Sequence, residues 1–317
     1  MNLAFWNLFG NDYTKNCLSW KRHPEPILPP EGDGWKSRWT ANPDILELNG
    51  KRFLYYRANG THPGREGVHD RLAGAELLHL GPGSLELRPF NDNQPLVDVG
   101  QPGEFDDKDA LDPAAVFFNG KVWLYYSAVG SGPDSIGLAT SADGENFTKY
   151  GKIMTGRAPE VILKDGRVFL TYQLQDAKGS YQVHLASSED GITFTPESPD
   201  PIFPRAAGSW DSLSLVTSRL SEENGVYYMV YGGSSYLADE PDFFGLARST
   251  NLIDWEPHPG NPIFGCGQKG APDGGAIWFP AVVETDDAFV MLYEGSRGKY
   301  SWDLSSAICM AWVDRKS

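Results

Sequence analysis

One segment type occurs five times in this chain, and no other feature restricts its fold as strongly. The copies are NPDILELNGKRFLYY from Asn42, DPAAVFFNGKVWLYY from Asp112, APEVILKDGRVFLTY from Ala158, TSRLSEENGVYYMVY from Thr217 and FPAVVETDDAFVMLY from Phe279. Position two is Pro43, Pro113, Pro159, Ser218 or Pro280, and a tyrosine closes every copy: Tyr56, Tyr126, Tyr172, Tyr231 and Tyr293. Between them stands a turn residue, Gly50, Gly120, Gly166, Gly225 or Asp287. Two short strands around a tight turn make a hairpin. A second element follows three of them: LATSADGENF to Phe147, LASSEDGITF to Phe194 and LARSTNLIDW to Trp255. It reads as a turn joining a third strand to a fourth. Four strands per unit, five units, is the pattern of an all-β, five-bladed propeller over residues 1–317.

The ends of the chain fit that ring. The last hairpin is followed by a third strand from Ile308 and then the chain stops, so the fifth blade lacks its outer strand. TKNCLSW, Thr14 to Trp20, resembles STNLIDW, Ser249 to Trp255, position by position. The N-terminal segment is therefore expected to supply the missing strand and lock the ring.

Composition narrows the partners. With 42 acidic and 27 basic residues the net charge is −15, which disfavours nucleic acid and anionic membrane. The sequence has no apolar run long enough to span a bilayer. Cys17, Cys266 and Cys309 are too few and too scattered for a disulfide framework or a zinc site. The N-terminus lacks the pattern of a secretory signal, so a cytoplasmic location is expected unless a signal was removed ahead of residue 1. Forty aromatic residues (10 Trp, 14 Tyr, 16 Phe) supply rings for a carbohydrate. Oligomeric state is not readable.

Candidate site residues come from registers of the repeat. The strand opening each copy should line the axis, and plain alternation puts positions one and three on one face. Those positions hold Asn42 and Asp44, Asp112, Glu160, and Arg219. Three carboxylates, Asp44, Asp112 and Glu160, should then converge on one cavity, with Arg219 as a structural partner between blades. Six residues before position one lie Asp106, Asp211 and Asp273, each after an aromatic residue or proline, read either as sugar ligands or as loop caps. After the repeated tyrosine come Arg57, Ser127, Gln173, Gly232 and Glu294. The polar stretch from Ala58 to Gly74 reads as a long loop at the rim of a pocket. It holds His62, His69 and Asp70, a weak metal set. Trp278, Arg297, Tyr300 and Trp302 of the fifth unit could stack on or clamp a sugar ring.

The hairpins, the Asp112-Pro113 opening and the S-x-D-G-x-x-F segments resemble the five-bladed propeller glycosidases, including glycoside hydrolase families 43, 32, 62, 68, 117 and 130. The family 43 and 32 pattern implies three inner-strand acids. Asp112 fits the second of them. Asn42 and Arg157 stand at the other two places, with Asp44 and Glu160 close by. The first blade is instead similar to family 130, in which Asn-Pro opens the strand and Tyr-Arg closes it, as Asn42-Pro43 and Tyr56-Arg57 do. That resemblance implies Asp112 as proton donor.

The resulting expectation is an exo-acting, inverting glycoside hydrolase with Asp44 as base, Glu160 as acid and Asp112 tuning them. Asn42, Arg57, Arg157, Asp211, Trp278, Glu294, Arg297 and Tyr300 would bind the sugar. Two rivals stand beside it: a family 130-like phosphorylase or hydrolase with Asp112 as acid and Arg57 and Arg157 on phosphate or substrate, and a non-catalytic carbohydrate-binding propeller. No metal or organic cofactor is expected to be required; a structural calcium in the axial channel is the one ion the reading leaves room for.

Overall fold

The computed structural model describes residues 1–203, 207–236, 239–299 and 306–315. Two short helices, α1 (Leu3–Trp6) and α2 (Tyr13–Leu18), lead into strand β1 (Lys21–Arg22). Twenty strands follow. Blade I is β2 (Trp39–Leu48), β3 (Lys51–His62), β4 (Arg65–Gly81) and β5 (Ser84–Pro89). Blade II is β6 (Asp109–Phe118), β7 (Lys121–Val129), β8 (Ser135–Ser141) and β9 (Thr148–Thr155). Blade III is β10 (Arg157–Lys164), β11 (Arg167–Gln175), β12 (Tyr181–Ser188) and β13 (Thr195–Pro196). Blade IV is β14 (Ser214–Glu223), β15 (Val226–Ser234), β16 (Phe243–Ser249) and β17 (Glu256–Pro257), with β18 (Phe264–Gly265) also on β16. Blade V is β19 (Ala276–Glu284), β20 (Ala288–Ser296) and β21 (Ala307–Asp314), completed by β1. Neighbouring strands are antiparallel throughout, and the five sheets form the expected propeller.

Ring closure comes from the segment the sequence pointed to, with a local difference. Most of Thr14–Trp20 is helix α2; the strand is the next two residues, Lys21 pairing with Trp312 and Arg22 with Ala311. The likeness to Ser249–Trp255 still holds, because β17 also begins directly after its aromatic residue. Trp20 is buried and donates from Nε1 to the Ile263 carbonyl at 2.9 Å. Phe5, Trp6, Phe9 and Trp20 join the apolar seam between blades IV and V. Comparable seams fill the other four blade junctions.

Four of the five inner hairpins turn on Asn-Gly or Asp-Gly with positive φ at both residues, as at Asn49 (52°) and Gly50 (76°). A two-residue turn of this kind matches the right-handed twist of the strands it joins.

The repeated tyrosine has a structural explanation. In every inner strand the register slips at positions one and two: Ala41 pairs with Arg57, and the next pair is Asp44 with Tyr55. Asn42 and Pro43 thus stand against Tyr56 alone. The same slip recurs in the other four blades. Position one is left-handed each time, at φ 50° for Asn42, 52° for Asp112, 46° for Ala158, 52° for Thr217 and 49° for Phe279. These are β-bulges, two residues against one, and the buried tyrosine fills the place opposite each. In three blades its hydroxyl donates to the upstream aspartate: Tyr126 to Asp106 at 3.0 Å, Tyr231 to Asp211 at 2.9 Å and Tyr293 to Asp273 at 2.7 Å.

The polar stretch after Arg57 is not a loop. It is the outer part of the β3–β4 hairpin, turning at Pro63-Gly64 and leaning on blade II, where Arg65 donates to the Asp107 carbonyl at 2.6 Å. Among the described residues no helix is long and apolar enough to cross a membrane.

Candidate active site

The bulge divides the axis into two ends with different surroundings. Positions one and three do not share a face, because the extra residue resets the alternation. Position-three residues line a cavity of about 850 Å³ at the hairpin-turn end. Position-one residues line a narrow recess of about 60 Å³ at the other end. The expectation that Asp44, Asp112 and Glu160 converge is therefore corrected: Asp44 and Glu160 lie at one end, Asp112 at the other.

Asp44 and Glu160 are bound into the structure around Arg219. Arg219 donates from Nη1 to Glu160 Oε2 at 2.8 Å, and its Nε lies 3.7 Å from Asp44 Oδ1. Nη2 also reaches the carbonyls of Pro43 at 2.9 Å and Pro113 at 3.2 Å, and the guanidinium covers the Phe279 ring at 4.8 Å. The remaining carboxylate oxygens accept backbone amides from neighbouring blades, Asp44 from Ala115 at 2.7 Å and Glu160 from Leu220 at 2.9 Å. This cluster plugs the axis with its polar groups paired. Burial, reinforced by Asp44, pushes the Glu160 carboxyl up against the pull of Arg219.

The opposite end is built from three registers. Position one brings Asn42, Asp112, Ala158, Thr217 and Phe279; the residue before it brings Arg157 and Trp278; the residue after the tyrosine brings Arg57, Gln173 and Glu294. Arg157 pairs directly with Gln173, and Trp278 with Glu294, so these registers face one another across each inner hairpin. Asp239, from the β15–β16 connection, completes the lining.

Here the carboxylates are incompletely paired. Asn42 Nδ2 donates to Asp112 Oδ1 at 2.7 Å and the Ser127 hydroxyl also acts on this carboxyl, while Asp112 Oδ2 is buried with no hydrogen bond of good geometry among the described residues. The same holds for Asn42 Oδ1, Thr217 Oγ1, Glu294 Oε1 and both amide atoms of Gln173. Buried polar atoms are normally satisfied, and clusters of exceptions need a reason. Arg57 lies 3.3 Å from Asp70 and 4.0 Å from Glu294; Arg157 pairs with Asp239 at 2.8 Å and donates to Tyr181 Oη at 2.7 Å. Burial raises the Asp112 carboxyl above its ordinary range despite Arg157 and Arg57. Burial also lifts Glu294 to about 7, against Arg57 and with help from Asp112 and Asp70.

Of the sugar-binding candidates, Asn42, Arg57, Arg157, Trp278 and Glu294 meet in this recess with Asp112. Asp211 does not; it accepts from Tyr231 and Ser209. Arg297 is half exposed and engages the Gly270 carbonyl at 2.6 Å and Glu25 at 3.4 Å. Tyr300 and Trp302 lie outside the described residues. Asp239 has no counterpart in the repeat, so no register pointed to it. His62 and His69 are 6.0 Å apart, and Asp70 is held by Trp39 and Asn59. Among the described residues no three His, Cys, Asp or Glu side chains gather as a metal-holding group.

No protein-family model and no curated protein sequence matches the chain. Solved structures do. A glycosyl hydrolase from Bacteroides ovatus superposes with a TM-score of 0.69 at 14% identity, over 94% of this chain and 96% of that one. The β-1,2-mannobiose phosphorylase from Listeria innocua gives 0.66 at 14%, over 93% and 96%. A third structure comes from family 130 of the mannoside phosphorylases, which contains glycoside hydrolases that target β-1,2-mannosidic linkages in Candida mannan; it gives 0.66 at 16%, over 92% and 93%. The chain has the fold of the five-bladed propeller glycosidases. Sequence identity is only 14–16%, so the chemistry has to be argued from this chain's own recess.

Proposed function

We propose that the protein is an exo-acting glycoside hydrolase working at the position-one recess. The observation that carries the reading is the set of buried, unpartnered polar atoms around Asp112, which a bound sugar's hydroxyls and glycosidic oxygen would satisfy. Protonated Asp112, held through Oδ1 by Asn42, gives the proton on Oδ2 to the departing oxygen. Ionised Glu294, whose Oε1 has no hydrogen bond among the described residues and lies 4.0 Å from Arg57, takes a proton from the attacking water, whose oxygen bonds to the anomeric carbon. Asp239 is less suited to that step because Arg157 pins it. Asp112 is on blade II and Glu294 on blade V, with blade I between them, which suits attack from the face opposite the leaving group and inversion. The Arg219 plug makes the recess blind, so a polysaccharide could not thread through it and a terminal sugar would be taken.

Phosphorolysis is the second reading, favoured by the two arginines and by the likeness to the Listeria innocua phosphorylase. Against it, Arg157 is already engaged by Asp239 and Tyr181, and Asp70, Asp112, Asp239 and Glu294 surround both arginines with negative charge. A panel of nitrophenyl glycosides and β-linked mannobioses, assayed with and without phosphate and with a chelator, separates the cases. Free sugar released at a phosphate-independent, chelator-resistant rate is expected. Sugar 1-phosphate as product would establish the phosphorylase, and binding with no turnover of any substrate would leave a carbohydrate-binding propeller.

A further inference from the structure

We infer that a second recess, at the seam of blades II and III, is the binding site for the leaving-group sugar, so that the substrate is a disaccharide or longer glycan. The inference rests on the hydrolase reading above. The recess holds about 210 Å³ and is lined by Pro133, Asp134 and Thr155 from blade II and by Gln175 and Tyr181 from blade III; it shares Arg157 and Gln173 with the recess around Asp112. The strand registers explain the grouping. Gln173 and Gln175 alternate onto one face of β11; Arg157 stands opposite Gln173 on β10, and Tyr181 opposite Gln175 on β12. Four side chains able to contact a sugar thus form a continuous strip leading away from Asp112.

Gln173 marks the junction. It is 2% exposed, and neither its amide nitrogen nor its oxygen has a hydrogen-bond partner among the described residues. An amide can give two hydrogen bonds and accept two. A pyranose hydroxyl is both donor and acceptor, and a sugar spanning the junction would satisfy both amide atoms. Along the strip, Tyr181 is half-buried, with the Arg157 guanidinium 5.0 Å from its ring centre, and Gln175 and Asp134 are exposed for hydroxyl contacts.

Direction follows from the chemistry. The acid must stand on the side of the departing oxygen and the water on the other. Asp112 is on blade II, beside the seam with blade III, and Glu294 is away on blade V. The group that leaves with the proton of Asp112 therefore exits toward this second recess.

The test compares two substrates with the same terminal sugar, the disaccharide that the panel identifies and the nitrophenyl glycoside, in the wild-type protein and in Gln175→Ala and Tyr181→Ala. The ratio of kcat/KM for disaccharide over nitrophenyl glycoside should fall at least tenfold in each variant, mainly through KM. Gln175 is exposed, so that variant should fold even if Tyr181→Ala does not, and thermal melting checks both. An unchanged ratio in folded Gln175→Ala overturns the inference while leaving the hydrolase reading intact. A wild-type protein that cleaves no glycoside removes that reading and this one with it.

Discussion

The two ends of the propeller axis hold similar ingredients and use them differently. Both contain buried carboxylates beside arginine, and burial raises carboxyls at both, Glu160 at one end and Asp112 and Glu294 at the other. A raised carboxyl therefore does not tell an active site from a structural one here. Hydrogen bonding does. Around Arg219 three of the four carboxylate oxygens accept from amides or guanidinium and the fourth, Asp44 Oδ1, lies 3.7 Å from the guanidinium; around Asp112 several polar atoms have no hydrogen-bond partner among the described residues. A buried ion pair with complete bonding holds blades together, and removing one member exposes the other to an uncompensated interior. A buried acid with a free oxygen is ready to exchange a proton with something that arrives.

Four substitutions sharpen that contrast. Asp112→Asn keeps the shape of the recess and removes the proton, so kcat should drop on the order of 10²–10⁴ with the melting temperature unchanged. Asp44→Asn should leave the rate alone, and equal losses from the two would erase the distinction between the ends. Arg219→Met should act on stability, costing about 3–5 kcal/mol by stranding Asp44 and Glu160, read from urea unfolding; a wild-type midpoint would mean the plug holds nothing. The smallest effect is a shift of pH dependence. With Glu294 at about 7, the rate should rise with pH as that carboxyl ionises and fall again once Asp112 loses its proton. The Asp70 charge raises Glu294, so Asp70→Asn should move this limb toward lower pH by less than about one unit. A limb that stays put or moves upward would exclude Glu294 as the base.

Much of this molecule is legible in its repeats. Five hairpins and the likeness of Thr14–Trp20 to Ser249–Trp255 are enough to draw a closed five-bladed ring, and the register after the tyrosine already contains Arg57, Gln173 and Glu294. The bulge is hidden from plain alternation, and with it the division of the acids, because alternation runs unbroken through Asn42, Pro43 and Asp44 in the sequence. The proline carried the warning, since it has no N–H for the ladder and sits in sheets at edges or bulges. The Asp106, Asp211 and Asp273 register was visible, but its partner could not be seen until the strands were paired. Asp239 belongs to a connection outside the repeat, and only tertiary packing brings it to Arg157.

The two-rung pairing of Lys21 and Arg22 with the last strand also bears on how the protein is made. Lys21 leaves the ribosome 293 residues before Asp314, to which it is bonded in the finished ring. At bacterial or eukaryotic synthesis rates that is a delay of roughly 15–60 s. Through that interval Phe5, Trp6, Phe9 and Trp20 have no blade V to cover them, while blades I to IV can already assemble one after another. Among the described strands β1 is translated first and paired last, so its aromatic neighbours stay uncovered until blade V emerges.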